Sequence, residues 1–286
     1  MQKLCFATCQ EYPDIYDDDK AFADLIANHI GEINLHAHPW DDQHVHWDIY
    51  DAVIIRSCWG YHTEPKAFDQ WLTHLKEKNV KTINDTELVR WNLHKSYLQD
   101  IANWGIATLP TIFTKPTEYQ AEQLNTAFSE LETDKIIVKP CVSAGSENTI
   151  LLHQADDLTA AHQLCRERDM MIQAYSPDLV ETGEISLFYF GNSYSHAVVK
   201  TPKSGDFRSQ PGFGSTVEDF EPADHIKETA EKLLSKTTPT YARIDGVDIN
   251  GVFHIIEFEV IEPDLFMKYA KADSPALAAK AILSAL

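Results

Sequence analysis

Apolar residues follow two different periods along residues 1–90, and the alternation between them predicts strands separated by helices. Asp17–Ile30 and Pro65–Asn79 carry apolar residues at helical spacing, whereas Asp51–Ser57 is almost continuously apolar, as a strand buried on both faces should be. The predicted strands are Lys3–Cys9, Ile33–His38, Asp51–Ser57 and Val80–Ile83. This order predicts a doubly wound α/β domain that ends near residue 90.

Beyond residue 90 the pattern changes to helices mixed with strands that pair through short turns. The predicted helices are one that ends at Asn103–Gly105, then Glu118–Glu132, Ala155–Arg168, His225–Ser235 and a closing segment within Pro263–Leu286. The predicted strands are Thr111–Phe113, Lys135–Lys139, Ile150–His153, Met170–Ala174, Glu184–Phe190, Tyr194–Thr201 and two more within Tyr241–Pro263. We therefore expect two α+β lobes, a central one over residues 91–170 and a C-terminal one over residues 171–286.

The segment Tyr241–Pro263 predicts a β-hairpin that gathers three carboxylates. Its central Asn-Gly dipeptide is a strong two-residue turn signal between two apolar strands. Side chains two residues apart share one face of a strand, so Glu257 and Glu259 point the same way, and Asp245 can join them across the turn. Converging carboxylates repel one another unless a cation lies between them, and Mg²⁺ takes oxygen ligands of this kind. The hairpin is therefore a candidate metal site.

Two alternatives to this metal site stay open at the level of sequence. The acids could be solvated side chains of an acidic protein, although apolar residues surround them. Asp248 also competes with Asp245 as the first ligand, and a shift of the strand register by an odd count would align neither.

The charge of the chain argues against two classes of partner. The 286 residues include 24 Lys and Arg against 44 Asp and Glu, which gives a formal net charge of −20. Phosphate backbones and anionic membranes both attract basic patches, so we expect neither nucleic acid nor a membrane as a partner. Five cysteines without a CxxC pair, and no secretion leader, predict a cytoplasmic protein with reduced thiols.

Five bases stand near predicted strand ends and loops, namely Lys95, Lys139, Lys200, Arg208 and Arg243. Any one of them alone is most simply a solvated side chain. Lys139, however, ends an apolar strand and precedes a loop of small residues around Gly145, where backbone amides can approach an anion. Together with the three acids, the set is typical of phosphate oxygens that are bridged by metal and clamped by Lys and Arg.

The order of several motifs over residues 90–265 resembles that of the ATP-grasp superfamily. These motifs are Lys95, the KP pair at Lys139-Pro140 with its small-residue loop, IQAY at Ile172–Tyr175, GEIS at Gly183–Ser186, Arg208 and the RxD…ExE hairpin. The phrases RSCWGYH, LVRWNLHKSYL and IEFEVIEPDLF are similar to a glutathione-synthetase-like subgroup that includes the O-ureido-serine cyclo-ligase of cycloserine biosynthesis. The resemblance implies an ATP-grasp fold behind an N-terminal α/β domain. It also implies an ATP-dependent carboxylate-amine ligase or cyclo-ligase, which acts through an acyl phosphate on a small amino-acid-like substrate.

The resemblance further implies which residues hold the nucleotide. Lys95 and Lys139 would contact the phosphates of ATP, under the loop that contains Gly145. The hinge against adenine, by backbone bonds and ring stacking, would be Gln173, Ala174 and Tyr175. Glu181 or Glu184 would hold the ribose, and Glu184 is preferred.

The metal ligands and the catalytic residues follow from the same resemblance. Asp245, Glu257 and Glu259 would bind Mg²⁺, expected as two ions, with Mn²⁺ as an alternative. Arg208 would stabilise the acyl phosphate or the tetrahedral intermediate, with help from Lys200, and Arg243 would belong to the same basic clamp. The chain departs from many relatives at Glu259, where they carry Asn, and in the loop Ser143–Glu147, which is poorer in glycine.

Arg56 is the predicted contact for the substrate carboxylate. It follows a buried strand at its C-terminal end, where ligands of open α/β sheets bind, and a guanidinium can grip a carboxylate with two parallel bonds. Trp59 and Tyr61 would form a wall for the rest of the substrate. The alternative is a purely structural ion pair of Arg56 with Asp51 or Glu64.

Two other functions compete with the ligase. A kinase-like phosphotransferase would stop at a phosphorylated product, and a non-catalytic module would bind nucleotide without turnover. The identity of the substrates, cyclisation against intermolecular ligation, and assembly into a homo-oligomer stay open from sequence.

Overall fold

The computed structural model describes residues 2–30 and 33–286, and their strands form three β-sheets. The strands are β1 (Gln2–Thr8), β2 (Ile33–Pro39), β3 (Ala52–Ile55), β4 (Thr82–Ile83), β5 (Thr111–Thr114), β6 (Lys135–Pro140), β7 (Ile150–His153), β8 (Met170–Ala174), β9 (Glu184–Phe190), β10 (Ser193–Thr201), β11 (Thr216–Asp219), β12 (Tyr241–Ile249) and β13 (Val252–Glu259). The helices are α1 (Asp17–His29), α2 (Pro65–Glu77), α3 (Thr86–Asn92), α4 (Tyr97–Asn103), α5 (Glu122–Glu130), α6 (Thr159–Glu167), α7 (Asp178–Glu181), α8 (Asp224–Thr237) and α9 (Ser274–Ala285).

The first sheet has the order β2-β1-β3-β4 with every neighbouring pair parallel. Successive residues of its buried strands pack on opposite faces, because side chains alternate along a strand. Phe6 and Ile54 lie in one apolar core with Phe22 of α1, whereas Val53 lies in another with Phe68 of α2. Helices therefore cover both faces of a parallel sheet, which confirms the predicted doubly wound α/β domain.

The other two sheets are antiparallel and form the two remaining parts of the fold. One has the order β5-β8-β6-β7 and is covered by α5 and α6. The other has the order β11-β10-β9-β12-β13, and α8 packs in the same core. Sequence periodicity missed β11, α3 and α7, which have only four, seven and four residues. Short elements with largely polar sequences, such as TVED in β11 and DLVE in α7, contain too few apolar positions to show a period.

The hairpin of β12 and β13 forms as predicted, and its register fixes the positions of the acids. Asp245 pairs with Glu257, and the turn residues Asn250 and Gly251 have φ of 53° and 81°, the left-handed values that a type I′ turn requires. The register shifts by one residue directly after Asp245, at a bulge. The extra residue is Ile256 on β13. Gly246 lies opposite this bulge, where a Cβ atom would stand 2.4 Å from the ring of Phe253.

Hydrogen bonds join the first sheet to this hairpin. The Asn84 amide donates to the carbonyls of Tyr241 at 2.9 Å and Val260 at 2.8 Å, and the Tyr241 hydroxyl donates to the Ile55 carbonyl at 2.5 Å. These bonds fix the segment that follows β13 against the C-terminal end of β3. Arg56 is the first residue after that end.

Two predictions from composition can be compared with the structure. All five cysteines are free and buried, as expected for reduced thiols. Within residues 2–30 and 33–286, none of the helices has the length and apolar character needed to cross a membrane.

Candidate functional site

A cavity of about 490 Å³ lies where the three sheets meet. The sheet β5-β8-β6-β7 contributes Lys139, with the loop around Gly145 that follows it, and β13 contributes Glu257 and Glu259. The loop after β3 closes the opposite end with Trp59. Residues from all three predicted regions thus line one space.

Three carboxylates converge beside this cavity. Ligand oxygens of Asp245, Glu257 and Glu259 all lie within 4.8 Å of one another. The cross-strand pairing of Asp245 with Glu257, and the two-residue step to Glu259, place them on one face of the hairpin. Asp248, the alternative ligand, instead accepts a bond from His225 Nε2 at 2.8 Å and is outside the cluster.

Basic side chains balance these acids. Lys95 Nζ lies 2.5 Å from Glu257, Arg243 Nε lies 3.0 Å from Asp245, and Arg243 also pairs with Glu259. Burial raises the pKa of Asp245, but Arg243 and Lys200 outweigh it, and the pKa lies below its ordinary value. Such a carboxylate stays charged in the folded protein.

Glu259 differs from its two neighbours in its protonation. Burial, the largest effect, raises the pKa of Glu259 to about 8, and the charges of Glu257 and Asp245 add to the increase, which Arg243 offsets in part. Glu259 is therefore more easily protonated than Glu257 or Asp245, whose pKa values are lowered by neighbouring cations. All donors are carboxylate oxygens, a set that fits a hard cation such as Mg²⁺.

Lys139 is the cation of the cavity that is left without a partner. Among the described residues, no hydrogen bond or ion pair is made by its ammonium group, although Lys95 nearby has both. Burial, with a smaller contribution from Lys95, lowers the pKa of Lys139 against the opposing effect of Glu257. Beside it, Ser143, Gly145 and their neighbours line the cavity, as predicted for a loop over phosphates.

One part of the cavity lining is apolar. Ile137, Leu179 and Ile256 contribute to it and are 8–9% exposed, and the polar Gln173 lines the same cavity. Apolar surface together with a polar group suits a planar heterocycle such as a purine base.

The predicted hinge is corrected in one respect, the stacking of the Tyr175 ring on adenine, whereas its backbone contacts with adenine stay a prediction. Gln173 lines the cavity, but Ala174 and Tyr175 do not. The Ala174 amide donates to the Pro110 carbonyl at 2.9 Å and the Tyr175 amide donates to the Lys135 carbonyl at 3.1 Å, because sheet pairing continues to the end of β8. The Tyr175 ring lies under Lys135, with 5.4 Å between the ammonium and the ring centre, so it is not placed to stack on a base in the cavity.

The two ribose candidates separate clearly. Glu184 lines the cavity, whereas Glu181, at the end of α7, is exposed and outside it. Glu184 accepts a bond from Lys200 at 2.5 Å and another from Ser209. Glu184 is thus the one of the two that lies at the cavity, and its contact with ribose stays a prediction, whereas Glu181 is a surface residue.

The three predicted catalytic bases occupy different positions. Arg208 and Arg243 line the cavity, and Arg208 is bonded to Asp206 at 2.8 Å with its guanidinium 3.6 Å from the centre of the Phe213 ring. Lys200 does not line it and is only 4% exposed. It pairs with Glu184 and Asp245, so its predicted help to Arg208 would act through these carboxylates, and this catalytic role stays a prediction.

Arg56 does not reach the cavity, which corrects its expected role as a substrate contact. Its side chain is 2% exposed, and it pairs with Asp19 of α1, with 2.8 Å between Nε and the carboxylate. It also donates to the Pro263 carbonyl at 2.7 Å. The alternative of a structural ion pair is therefore correct, but the partner of Arg56 is Asp19 rather than Asp51 or Glu64. This is because α1 packs over the end of β3 and places Asp19 there.

The predicted aromatic wall faces the cavity, together with acids that the sequence did not reveal. Trp59 and Tyr61 both line it, and so do Glu262 and Asp264. These two acids follow β13 in irregular chain, where side-chain alternation no longer predicts direction. The only available signal was their place in the phrase IEFEVIEPDLF.

Two family models match successive parts of the chain. The N-terminal domain of the D-cycloserine synthetase DcsG matches residues 4–84. The ATP-grasp domain of prokaryotic glutathione synthetase matches residues 106–273, more than half of the chain.

Curated relatives point to the same group. The cycloserine biosynthesis protein DcsG of Streptomyces lavendulae is 28% identical over 169 residues, a stretch that covers 56% of this chain and 55% of that protein. This match therefore spans about half the length of the relative. Glutathione synthetase of Neisseria meningitidis serogroup A is 25% identical over 227 residues, which cover 78% of this chain and 68% of that enzyme.

Solved structures share the fold over the whole chain. The crystal structure of the D-cycloserine synthetase DcsG superposes with a TM-score of 0.83 at 23% identity, covering 99% of each chain. A D-alanine–D-alanine ligase from Bacillus anthracis superposes with a TM-score of 0.69 at 13% identity, covering 100% of this chain and 96% of that one. The predicted ATP-grasp fold is confirmed, and the chain belongs to the family of the prokaryotic glutathione synthetase ATP-grasp domain.

Proposed function

We propose that the chain is an ATP-dependent ligase that joins a small carboxylate to an amine through an acyl phosphate. The observation that carries this proposal is the convergence of Asp245, Glu257 and Glu259 with the unpaired Lys139 on one cavity. Membership of the ATP-grasp family supports it, because ATP and Mg²⁺ binding are typical of that family.

The cavity has separate places for the parts of ATP. The apolar part of the lining, with Ile137, Leu179 and Ile256, takes adenine, and Glu184 takes the ribose hydroxyls. Lys139, Lys95 and the loop around Gly145 then face the phosphates, where charge-assisted bonds to oxygen are strong. We assign the adenine contact to this apolar lining rather than to the ring of Tyr175.

The acid cluster holds the metal in this proposal. Mg²⁺ bound there, expected as two ions with Mn²⁺ as a substitute, would neutralise phosphate charge during transfer. Arg243 keeps Asp245 and Glu259 in position, and Lys95 keeps Glu257 in position before ligands arrive.

The reaction balances without a protein nucleophile. A carboxylate oxygen attacks the γ-phosphorus of ATP, the bond to the β-phosphate oxygen breaks, and ADP leaves. The amine then attacks the acyl carbon, phosphate leaves with the C–O bond electrons, and the amine loses a proton. Lys139 and Arg208 line the cavity where negative charge develops in both steps.

The substrates are small molecules in this proposal, and nucleic acid is not among the partners. A cavity of about 490 Å³ is within the usual range of small-molecule sites. Cytoplasmic localisation and self-association stay predictions.

Product analysis tests the proposal. The chain is incubated with Mg²⁺, ATP and mixtures of small carboxylates and amines that include amino acids, and ADP, phosphate and organic products are quantified. We expect ADP and free phosphate in equal amounts, together with a product that contains no phosphorus. A stable phosphorylated product, or ATP binding without ADP release in every mixture, would contradict a ligase.

A further inference from the structure

The strand that carries Glu257 and Glu259 lies at the edge of its sheet. The sheet order is β11-β10-β9-β12-β13, so β13 has β12 on one side. On its other side, in the described part of the chain, the sheet continues only through an isolated bridge between Thr108 and Ile255. Backbone groups farther along this edge need other partners, because a buried N–H or C=O without a hydrogen bond is costly.

Side chains take the place of the missing strand beside Phe258 and Val260. Asn92 Nδ2 donates to the Phe258 carbonyl at 2.7 Å, and Asn92 Oδ1 accepts from the Val260 amide at 3.3 Å. The Tyr97 hydroxyl accepts from the Phe258 amide at 3.1 Å. The Val260 carbonyl accepts from Asn84 at 2.8 Å. The N–H and C=O groups of both residues are thus all bonded to side chains.

These bonds fix the part of β13 that carries the proposed metal ligands. Phe258 lies between Glu257 and Glu259 in the chain. Asn92 and Tyr97 are 8% and 2% exposed, so water has little access to their bonds. An asparagine amide offers both a donor and an acceptor, which lets Asn92 bond to the edge as a neighbouring strand would. A change of backbone direction at Phe258 would therefore move both carboxylates.

The same short segment places Lys95. Helix α3 ends at Asn92 and α4 begins at Tyr97, and Lys95 lies in the turn between them. Lys95 Nζ lies 2.5 Å from Glu257, and the Lys95 amide donates to the Cys141 carbonyl at 2.7 Å. Three side chains from one helix–helix junction therefore reach one strand of the acid cluster.

We propose that Asn92 and Tyr97 are positioning residues of the metal site, which hold β13 so that Glu257 and Glu259 face a bound divalent cation. This inference rests on the proposed function, because the acid cluster is the proposed Mg²⁺ site. Both residues act through the strand and not by contact with the cation. Their loss leaves buried backbone groups of β13 without partners, and the strand shifts to recover them. Groups that act on a metal through its ligands typically change metal affinity by about 10–100-fold.

Direct measurement of metal binding tests this role, with Mn²⁺ as the probe. Mn²⁺ is titrated into the full chain with a saturating non-hydrolysable ATP analogue, and electron paramagnetic resonance follows the bound ion. A protein-free titration of the same mixture is the blank. The variants are Tyr97→Phe, which removes one acceptor, and Asn92→Ala, which removes the bonds to Phe258 and Val260. Tyr189→Phe is the matched control, because Tyr189 is buried in the same core and its hydroxyl has no hydrogen-bond partner among the described residues.

We expect Tyr97→Phe to weaken Mn²⁺ binding by about tenfold and Asn92→Ala by at least as much, whereas Tyr189→Phe binds Mn²⁺ as the wild type does. Turnover lost in Tyr97→Phe should return at a raised Mg²⁺ concentration, which a purely structural defect would not allow. Tyr97→Phe decides the matter if Asn92→Ala does not fold.

Wild-type Mn²⁺ affinity in Tyr97→Phe, even with a lowered melting temperature, overturns the inference, and so does an equal loss in Tyr189→Phe. A wild type that binds no Mn²⁺ contradicts the metal site of the proposed function and removes the inference with it. Failure of the ligase chemistry appears instead in product analysis, since Mn²⁺ binding is measured without turnover.

Discussion

Asp245 is 1% exposed and pairs with Arg243 and Lys200. Glu259 shares Arg243 with it, and Glu257 pairs with Lys95. At the scale of single residues, the site therefore keeps several charges of each sign out of water at close range. Removing one charge from such a set leaves its partner uncompensated, which costs more than the lost contact itself. Substitutions that preserve shape while removing charge are thus the informative ones.

Glu257→Gln tests the metal assignment at this scale. The amide keeps the volume of the side chain but offers a metal a weaker ligand, so we expect turnover to fall by about a hundredfold or more while the fold is retained. ADP release and the melting temperature are measured together.

Asp248→Asn is the matched control, because Asp248 lies on the same hairpin but pairs with His225 away from the cluster. It should keep near wild-type turnover. Unchanged turnover in Glu257→Gln would remove Glu257 from the metal site.

Arg56→Met tests the correction made to the substrate site. The variant leaves Asp19 buried without its cation, and breaking a buried pair in this way costs about 3–5 kcal/mol. We expect a lower melting temperature and similar changes in KM for ATP and for the other substrate. A normal melting temperature with a raised KM for the non-nucleotide substrate alone would restore Arg56 to the substrate site.

At the scale of elements, the hairpin of β12 and β13 depends on Gly246, which lies opposite the bulge at Ile256. A methyl group there would meet the Phe253 ring at 2.4–2.7 Å and the His254 carbonyl at 2.6 Å. Real Cβ atoms do not approach this closely, so the strand must move, and Asp245 next to it must move as well.

Gly246→Ala should therefore destabilise the protein by about 1–3 kcal/mol and reduce Mg²⁺-dependent turnover. Chemical denaturation and ADP release measure the two effects. Gly212→Ala is the control, because no atom lies within 4 Å of the added methyl group and its φ is ordinary. Equal stability of the two variants would show that the position opposite the bulge tolerates a side chain.

The hairpin was predictable from sequence, whereas other parts of the site were not. Its turn dipeptide and alternating strands are local signals, and they were enough to bring Asp245, Glu257 and Glu259 together. The Arg56–Asp19 pair depends on how α1 packs over β3, a contact between residues 37 apart in the chain. Glu262 lies in irregular chain, and its direction is set by the bond from Trp59 over a separation of 203 residues. Long-range packing of this kind leaves no periodic trace in the sequence.

At the scale of the whole molecule, buried acids make stability depend on pH. Burial is the main reason that the pKa of Glu262 rises to about 7 from an ordinary value of 4.5. Between these values the folded protein holds a proton that the unfolded chain has released, so stability decreases as pH rises. Above the folded pKa the penalty is complete and no longer changes.

Comparison of wild type with Glu262→Gln isolates this effect, since the amide cannot titrate. As pH increases from about 5 to 7, the melting temperature of the variant should rise relative to that of the wild type, without Mg²⁺ or nucleotide. Thermal melts at half-unit intervals measure the difference. A difference that is constant with pH, or that changes in the opposite direction, would contradict a protonated Glu262 in the folded protein.

The proposed ligase depends on phosphate binding in the cavity between the three sheets. Replacement of Lys139 tests this binding most directly. ATP with Mg²⁺ is titrated by calorimetry into the wild type, Lys139→Ala and Lys135→Ala. Lys135→Ala is the control, because Lys135 is on the same strand but lies over Tyr175 and outside the cavity. We expect Lys139→Ala to weaken ATP binding by about tenfold or more through loss of a charge-assisted phosphate contact, and Lys135→Ala to bind as the wild type does. Equal ATP affinity in Lys139→Ala and wild type would contradict the placement of phosphate in this cavity.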